Sequence, residues 1–364
     1  MQPSRRHVLT GTGALTLSAG LGALLTACGS GSGGSTASGP ATSGTKAVDR
    51  PADGKSFPVT VQHKYGATTI KSAPKRVVCV GLLEQDSLLA LGVVPVGVTT
   101  WLGAAKGEIY PWAKGKLGDS PLPKVLDSKK INIEEIAALK PDLIVAIYSD
   151  LKQADYTKLS QLAPTIAAPK GHVDWGTPWD ETAQLIADAL GKHDEGVKLV
   201  KSVKGDLAAA KKAHPQFVGK TAVVATPYEG AYIYGPSDIR SQIQHALGFT
   251  FPAKFKDIGG KTFGGSISAE RTKEIDFDVV VWLDSPASVK SKLGGLYEQT
   301  KAYKEGRTIY VPSSVSDSKK ASTYASAFSM VTPLSIPWVL KRYVPQLAAA
   351  VDGKPSTKVK IIDE

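Results

Sequence analysis

Apolar residues along this chain change their spacing several times, and the changes mark its elements. Between residues 194 and 214, Val197, Val200, Val203, Leu207 and Ala210 recur every three or four positions, opposite Lys198, Lys201, Lys204, Lys211 and Lys212. With Asp194 to cap its start and Pro215 to stop it, this stretch reads as the longest helix, a rod of roughly 30 Å. Short apolar runs lie on both sides. Arg76–Gly81, Pro95–Val98, Pro141–Ala146 and Pro164–Pro169 precede the rod; Thr221–Ala225, Asp278–Trp282 and Thr308–Pro312 follow it. Each is short and bounded by turn residues, as a buried strand is. Helical segments alternate with them: Glu84–Leu91, Ile133–Leu139 and Pro178–Leu190 in the first half, then Asp238–Leu247 and Glu270–Ile275 in the second. Phe57–Ile70 reads as a hairpin turning at Tyr65-Gly66.

The second half repeats the plan of the first. Ala246-Leu247-Gly248 answers Ala90-Leu91-Gly92, and the helix before Asp278–Trp282 answers the helix before Leu143–Ala146. Alternating strands and helices predict an α/β fold. The expected architecture is two Rossmann-like lobes with mostly parallel sheets, joined by one long backbone helix. Residues 56–192 form the N-terminal lobe, 193–215 the connecting helix and 216–364 the C-terminal lobe. Ligands of open parallel sheets sit beyond the carboxyl ends of the strands. Two such lobes on a stiff rod would turn both sets of loops toward one cleft.

Residues 1–27 read as a signal peptide rather than as part of the fold. Ser4-Arg5-Arg6-His7-Val8-Leu9 resembles a twin-arginine export signal, with Val8 in place of the usual Phe. Thr, Gly and Ser interrupt the apolar stretch from Val8 to Leu25, which makes it a poor permanent membrane span. It ends in Leu25-Thr26-Ala27-Cys28, which resembles the lipobox of bacterial lipoproteins. That resemblance implies cleavage before Cys28 and lipid on its thiol, anchoring the exported protein to the outer face of the cell membrane. Residues 28–55 then supply the lipidated cysteine and a flexible tether; Gly29–Thr45 is rich in Gly, Ser, Thr and Ala and carries no charge.

Composition narrows the chemistry. The 364 residues suffice for two domains, and two cysteines exclude a disulfide framework. Cys79 falls in an apolar strand and reads as a small buried residue. The net charge is +11, or +9 once Arg5 and Arg6 are cleaved away. Its lysines form no runs, and no aromatic-interleaved basic block or nucleic-acid motif appears, so no nucleic-acid partner is expected. The positive balance hints at an acidic ligand without locating it. Gly219-Lys220-Thr221 and Gly260-Lys261-Thr262 mimic the end of a phosphate loop, but the required glycine five residues earlier is His214 or Phe255. No G-x-S-x-G elbow appears, and His63, His172, His193, His214 and His245 lack ligand spacing, so no metal site is expected.

Four stretches carry a family resemblance: Pro74-Lys75-Arg76-Val77-Val78; Leu88-Leu89-Ala90-Leu91-Gly92-Val93-Val94-Pro95-Val96-Gly97; Asn132 to Val145, with Lys140-Pro141-Asp142 at its centre; and Ser266-Ile267-Ser268-Ala269-Glu270-Arg271. With them the chain resembles, over about residues 56–352, the periplasmic binding proteins with a helical backbone. These are the substrate-binding proteins of ABC importers for ferric siderophores, haem and cobalamin. It is most similar to exported lipoproteins of iron-siderophore uptake. The resemblance implies a monomeric binding protein without catalysis or a resident cofactor. Its ligand would be a ferric siderophore, and its partner the ABC permease dimer of an iron-siderophore importer. Haem or cobalamin is the alternative within the class. A siderophore-processing hydrolase is the alternative outside it, although no nucleophile–base set is recognisable.

The resemblance also implies that Glu134 and Glu270 meet arginines of the permease, with Glu135 the rival of Glu134. One carboxylate on each lobe can seat a two-fold partner, and Arg–carboxylate pairs can be bidentate. Exposed pairs contribute only about 0–1 kcal/mol, so they orient docking more than they supply affinity. Plain first-turn carboxylates, favoured by the helix dipole, are the alternative reading. A ferric chelate suits aromatic faces and a cationic fork. Candidates for its cleft are Trp101, Tyr148, Tyr228 and Trp282 at strand ends, Tyr234 and Arg240 before a helix, and Trp175 and Tyr324 in polar loops. Arg240 leads, and its alternative is a salt bridge with Asp238 or Glu270. Ordinary packing is the alternative for each aromatic.

Replacing Cys28 by Ser should move the exported protein from the membrane fraction into the medium. Immunoblots of fractionated cells check this; an unchanged membrane fraction would refute the anchor.

Overall fold

The computed structural model describes residues 48–49, 56–260, 262–313 and 322–364. The signal peptide, Cys28 and all but a few residues of the tether lie outside them. Val48–Asp49 (β1), Val59–His63 (β2) and Gly66–Ile70 (β3) make a small antiparallel sheet. Alternation in the expected hairpin buries Val59, Val61 and Ile70 while Gln62 and Thr69 stay exposed. β1 falls inside the stretch read as tether, and its backbone pairs with Thr60 and Val61. Composition could not reveal this, because an open strand edge offers hydrogen bonds whatever the side chains.

Val77–Cys79 (β4), Glu84–Ala90 (α1), Gly97–Thr99 (β5), Lys124–Leu126 (β6), Ile133–Ala138 (α2), Leu143–Ala146 (β7), Gln153–Leu162 (α3), Thr165–Ala167 (β8) and Trp179–Ala189 (α4) follow. The five strands form one sheet in the order β6-β5-β4-β7-β8, every pair parallel. Val77, Cys79, Leu143 and Val145 face Leu88, Leu185 and Ile186 on one side. Val78, Ile144 and Ala146 face Ile136 and Leu159 on the other. Apolar residues at consecutive positions therefore fit a sheet covered on both faces.

The rod forms as His193–Ala213 (α5), 21 residues long. Val203 and Leu207 are buried, but Val197 is 46% exposed, so the buried stripe is narrower than the periodicity suggests. Asp194 does not cap the helix. Lys192 holds that place, and Asp194 and Glu195 sit in the first turn, where the helix dipole favours negative charge. Lys204 reaches back to Asp180 of α4 at 2.6 Å.

Beyond it come Ala222–Pro227 (β9), Ala231–Tyr234 (β10), Ile239–Ala246 (α6), Gly264–Ile267 (β11), Val279–Trp282 (β12), Pro286–Leu293 (α7), Lys301–Lys304 (α8), Thr308–Tyr310 (β13), Thr323–Met330 (α9) and Ser335–Val351 (α10). The second sheet runs β11-β10-β9-β12-β13 and matches the first position by position. It differs in β10, which is antiparallel to both neighbours. Three residues join β9 to β10, too few for a parallel crossover. Gly230 makes that turn at φ 99°, and a Cβ on it would stand 2.3 Å from the Ile267 carbonyl oxygen.

The long C-terminal helix α10 is hidden in the sequence by Pro345, which removes a hydrogen bond inside it. Burial of Ile336, Val339, Leu340, Tyr343, Leu347 and Ala350 along one face offsets that loss. Its start is secured reciprocally: Thr332 N–H donates to Ser335 Oγ at 2.8 Å, and Ser335 N–H to Thr332 Oγ1 at 3.0 Å.

One apolar cluster joins the halves, packing Leu83, Tyr148 and Trp179 with Tyr324, Phe328 and Val331. Beside it lies Asp86, fully buried on α1. Its Oδ2 accepts from Trp112 Nε1 at 2.7 Å and from Thr332 Oγ1 at 2.5 Å, so one carboxyl ties the first sheet's helix to the start of α10. Burial pushes its pKa up to about 6, against the two donors, which pull it down. A folded-state pKa above the ordinary value means the neutral form is favoured by folding. The resulting stability is present below about pH 4 and lost as pH rises through about 6. Thermal melts from pH 4.5 to 7.5 should therefore give Asp86→Asn a flatter decline than the parent, by a few degrees; parallel curves would count against it.

Candidate functional site

The five parallel strands of the first sheet all release their chains on one side, and the loops there enclose a cavity of ≈ 260 Å³. Val80 and Leu82 follow β4, Thr99 and Trp101 come from β5, Asp127, Ser128, Ile131 and Asn132 follow β6, Ser149 to Leu151 follow β7, and Trp175 follows β8. Glu84 fixes its floor. Its Oε1 accepts the backbone N–H groups of Ile147 and Tyr148, both at 2.8 Å, and its Oε2 that of Leu83 at 3.0 Å. The loops after β4 and β7 are thus pinned to one carboxyl group. A Cβ on Gly81 would stand 1.8 Å from Glu84 Oε1, so only glycine leaves room for that group. Burial pushes the Glu84 pKa up to about 7, although the backbone donors act the other way.

Trp175 forms a wall of the cavity in an uncommon backbone conformation, φ 55°. A bulky residue stays there only when its surroundings over-determine it. The preceding residue, Asp174, takes Lys64 Nζ at 2.9 Å and Lys152 Nζ at 3.2 Å, which anchors the turn. The Trp175 ring meets Phe263 of the second half edge-on, with centroids 5.8 Å apart. Phe263 in turn stacks against Tyr234 and leans on Tyr232. On the first side, Trp101 stands 6.1 Å from Tyr148. Aromatic faces from both halves therefore converge next to the cavity.

Arg240 sits in the first turn of α6, against this wall, with its guanidinium 3.8 Å from the Tyr234 ring centroid. It is buried and already paired: Nε and Nη2 donate to the two carboxylate oxygens of Asp238 at 2.8 and 2.7 Å. Burial works against its charge, but the Asp238 carboxylate outweighs burial and raises its pKa. Asp238 is also the cap of α6, accepting from Arg240 N–H at 2.9 Å. Tyr148 of the first half lies within electrostatic reach of both.

The expected residues thus divide. Trp101 and Trp175 line the cavity; Tyr148, Tyr234 and Arg240 gather beside it. Tyr228 is 63% exposed on the β9–β10 turn and does not line the cavity. Trp282 and Tyr324 correct the sequence expectation, because both are fully buried and offer a ligand no face. Trp282 shares a face of β12 with Val280, pointing into the outer core against Tyr297 at 5.0 Å, where strand alternation puts it. Tyr324 lies on α9 rather than in a loop, and its hydroxyl donates to Gln346 at 2.5 Å. Glu134 is exposed in the first turn of α2, while Glu135 is half-buried, lines the cavity and pairs with Lys124 at 3.3 Å. Glu270 is exposed at the start of a 3₁₀ turn, Ala269–Glu274. Among the described residues no group of three His, Cys, Asp or Glu is placed to hold a metal ion. Sequence reading missed Glu84, Asp127, Asp150 and Phe263. A carboxylate three residues past the Gly that ends a strand was the available signal for Glu84; the others follow strands or glycines with no pattern of their own.

The model of the periplasmic binding protein family matches residues 77–315, from β4 past β13. The chain belongs to that family. Its members bind solutes and are not enzymes. A periplasmic solute binding protein of Mycobacterium smegmatis str. MC2 155 is 34% identical, covering 80% of this chain and 98% of its own, with a TM-score of 0.65. PiaA of Streptococcus pneumoniae TIGR4, solved in complex with ferrichrome, is 27% identical over 81% of this chain and 99% of its own, with a TM-score of 0.70. The probable siderophore-binding lipoprotein YfiY of Bacillus subtilis is 30% identical over 61% of this chain and 68% of its own. The family's fold, two mostly parallel five-stranded sheets with a long C-terminal helix, is the one described above.

Proposed function

We propose that this protein captures a ferric siderophore outside the membrane and passes it, chemically unchanged, to an ABC permease. The observation that carries the reading is the aromatic-walled cavity at the strand ends, in a chain whose family match spans both sheets. The relatives support it: one is named a probable siderophore-binding lipoprotein, and another was solved with ferrichrome bound. Trp101 and Trp175 would pack on the chelate, with Tyr234 and Phe263 closing from the other side. The 56–192 and 216–364 lobes would move as two bodies about α5, whose buried stripe limits the hinge. Lipid on Cys28 would hold the protein beside its permease.

Glu134 and Glu270 are the proposed docking residues. Topology supports the pairing. Glu134 begins the helix after β6 and Glu270 begins the turn after β11, and these are corresponding edge strands of the two sheets. Both carboxylates are exposed. The Glu270 carboxyl is held below the usual range by its own backbone N–H and the Ser268 hydroxyl, so it presents a charge.

Two measurements test the reading. Titration of tryptophan fluorescence with ferric hydroxamates, catecholates and carboxylates, and with hemin as the competing ligand class, should show saturable quenching by at least one iron chelate. Quenching by hemin alone would sink the siderophore reading. The double variant Glu134→Lys/Glu270→Lys should cut cellular uptake of the bound chelate at least about tenfold while its affinity stays within about twofold; undiminished uptake would reject those two residues.

A further inference from the structure

The turn between β9 and β10 holds an aromatic ring that the cavity does not use. Tyr228 is the most exposed large hydrophobic side chain among the described residues, and no hydrogen bond or ring contact engages it. Glu229 beside it is exposed and makes no ion pair, and it holds φ 47°, in the left-handed region that residues with a side chain avoid. The turn is nevertheless fixed. Ala231 pairs with Pro227 on one side and with Ile267 on the other. Gly230 lies so close to the next strand's exit that a Cβ on it would stand 2.9 Å from the Ala269 nitrogen. The residue after Ala269 is Glu270, so Tyr228, Glu229 and Glu270 share one end of the second sheet. Of the cations around them, Arg271 and Lys254 are both turned to Glu274 at 2.9 Å, and Lys273 pairs with neither exposed carboxylate. The first sheet has no counterpart to this turn, because β4 and β5 are parallel and joined through α1.

We infer, building on the proposed function, that the Tyr228–Glu229 turn is a docking anchor for the ABC permease, continuing the surface that Glu270 begins and taking an arginine-bearing loop of that partner. A guanidinium can lie on the tyrosine face while its N–H groups reach a carboxylate. Here two carboxylates flank one open ring, in a chain whose net charge is otherwise +11. Exposed ion pairs contribute little by themselves, so Glu134 and Glu270 orient the partner without holding it. A tyrosine that becomes buried on docking supplies the affinity they lack. A turn that is already fixed loses little freedom when the partner arrives. The turn also tells the lobes apart. A two-fold partner meets Glu134 and Glu270 alike, but it finds Tyr228 on the second lobe alone.

The test is photo-crosslinking of the full, membrane-anchored chain in intact cells, with adducts identified by mass spectrometry. Benzoylphenylalanine replaces Tyr228, or Ala138, which is exposed one turn after Glu134, or Val218, which is exposed but precedes β9 at the opposite end of the sheet. Positions 228 and 138 should yield peptides of an ABC permease, and position 218 none. Permease adducts from 138 without any from 228, or equal yields from 228 and 218, overturn the inference and leave the docking of Glu134 standing; none from any position sinks the docking reading as well. With the crosslinker at 138, Tyr228→Ala should lower the adduct yield at least about fivefold, and Tyr228→Phe, which keeps the ring, should restore it. An unchanged yield in Tyr228→Ala overturns the anchor. Weaker tryptophan quenching by ferrichrome in Tyr228→Ala would assign the ring to the ligand instead, and would overturn it too.

Discussion

The cavity of this molecule depends on strands that run the same way. A parallel strand can be followed by another only through a crossover, so the chain leaves every parallel strand at the same end of the sheet. In the first sheet all five strands obey this, and five loops meet at one edge. The cavity is made there, where these chain segments turn within reach of one another. The second sheet keeps the same order and departs only at β10, where a three-residue link forbids a crossover. Even so, two reversals in succession restore the direction of β11, so the Glu270 turn begins on the same side as the Glu134 helix begins in the first sheet.

Buried carboxyl groups hold this arrangement in register. Glu84 ties the loops after β4 and β7 through three backbone N–H groups, and Asp86, two residues on, reaches Trp112 and Thr332. Both sit in α1, both have raised pKa values because burial disfavours their charge, and each bridges segments far apart in sequence. Apolar packing would fill the same space at lower cost. Polar bridges of this kind add direction, and direction is what keeps loops in one place.

Charge gives a second contrast between local and global properties. Lysines scattered over the surface make the chain basic, while the cavity is lined by carboxylates. Net charge governs solubility and encounter; the few groups within a Debye length of a bound ligand govern what stays. Composition therefore says little about the charge that a bound ligand meets. Arg240 lies against the aromatic wall, but its partner two residues earlier, Asp238, already takes up its guanidinium.

The sequence by itself determined the alternation of strands and helices, the twin plan, the long rod and the hairpin, because these rest on periodicity and turn residues within a few positions. It also carried the family motifs, and it placed Trp101, Trp175 and Arg240 among the candidates. Tertiary structure decided the rest. It hid Trp282 through the choice of strand face and Tyr324 by setting it on a helix. It kept α10 helical through Pro345 by burying one side, reversed β10, and brought Phe263 against Trp175 across the two halves. It also paired Lys64 and Lys152 with Asp174 to fix the turn that carries Trp175. Such outcomes depend on distances between residues far apart in the chain, and local patterning holds no record of those distances until the two sheets pack.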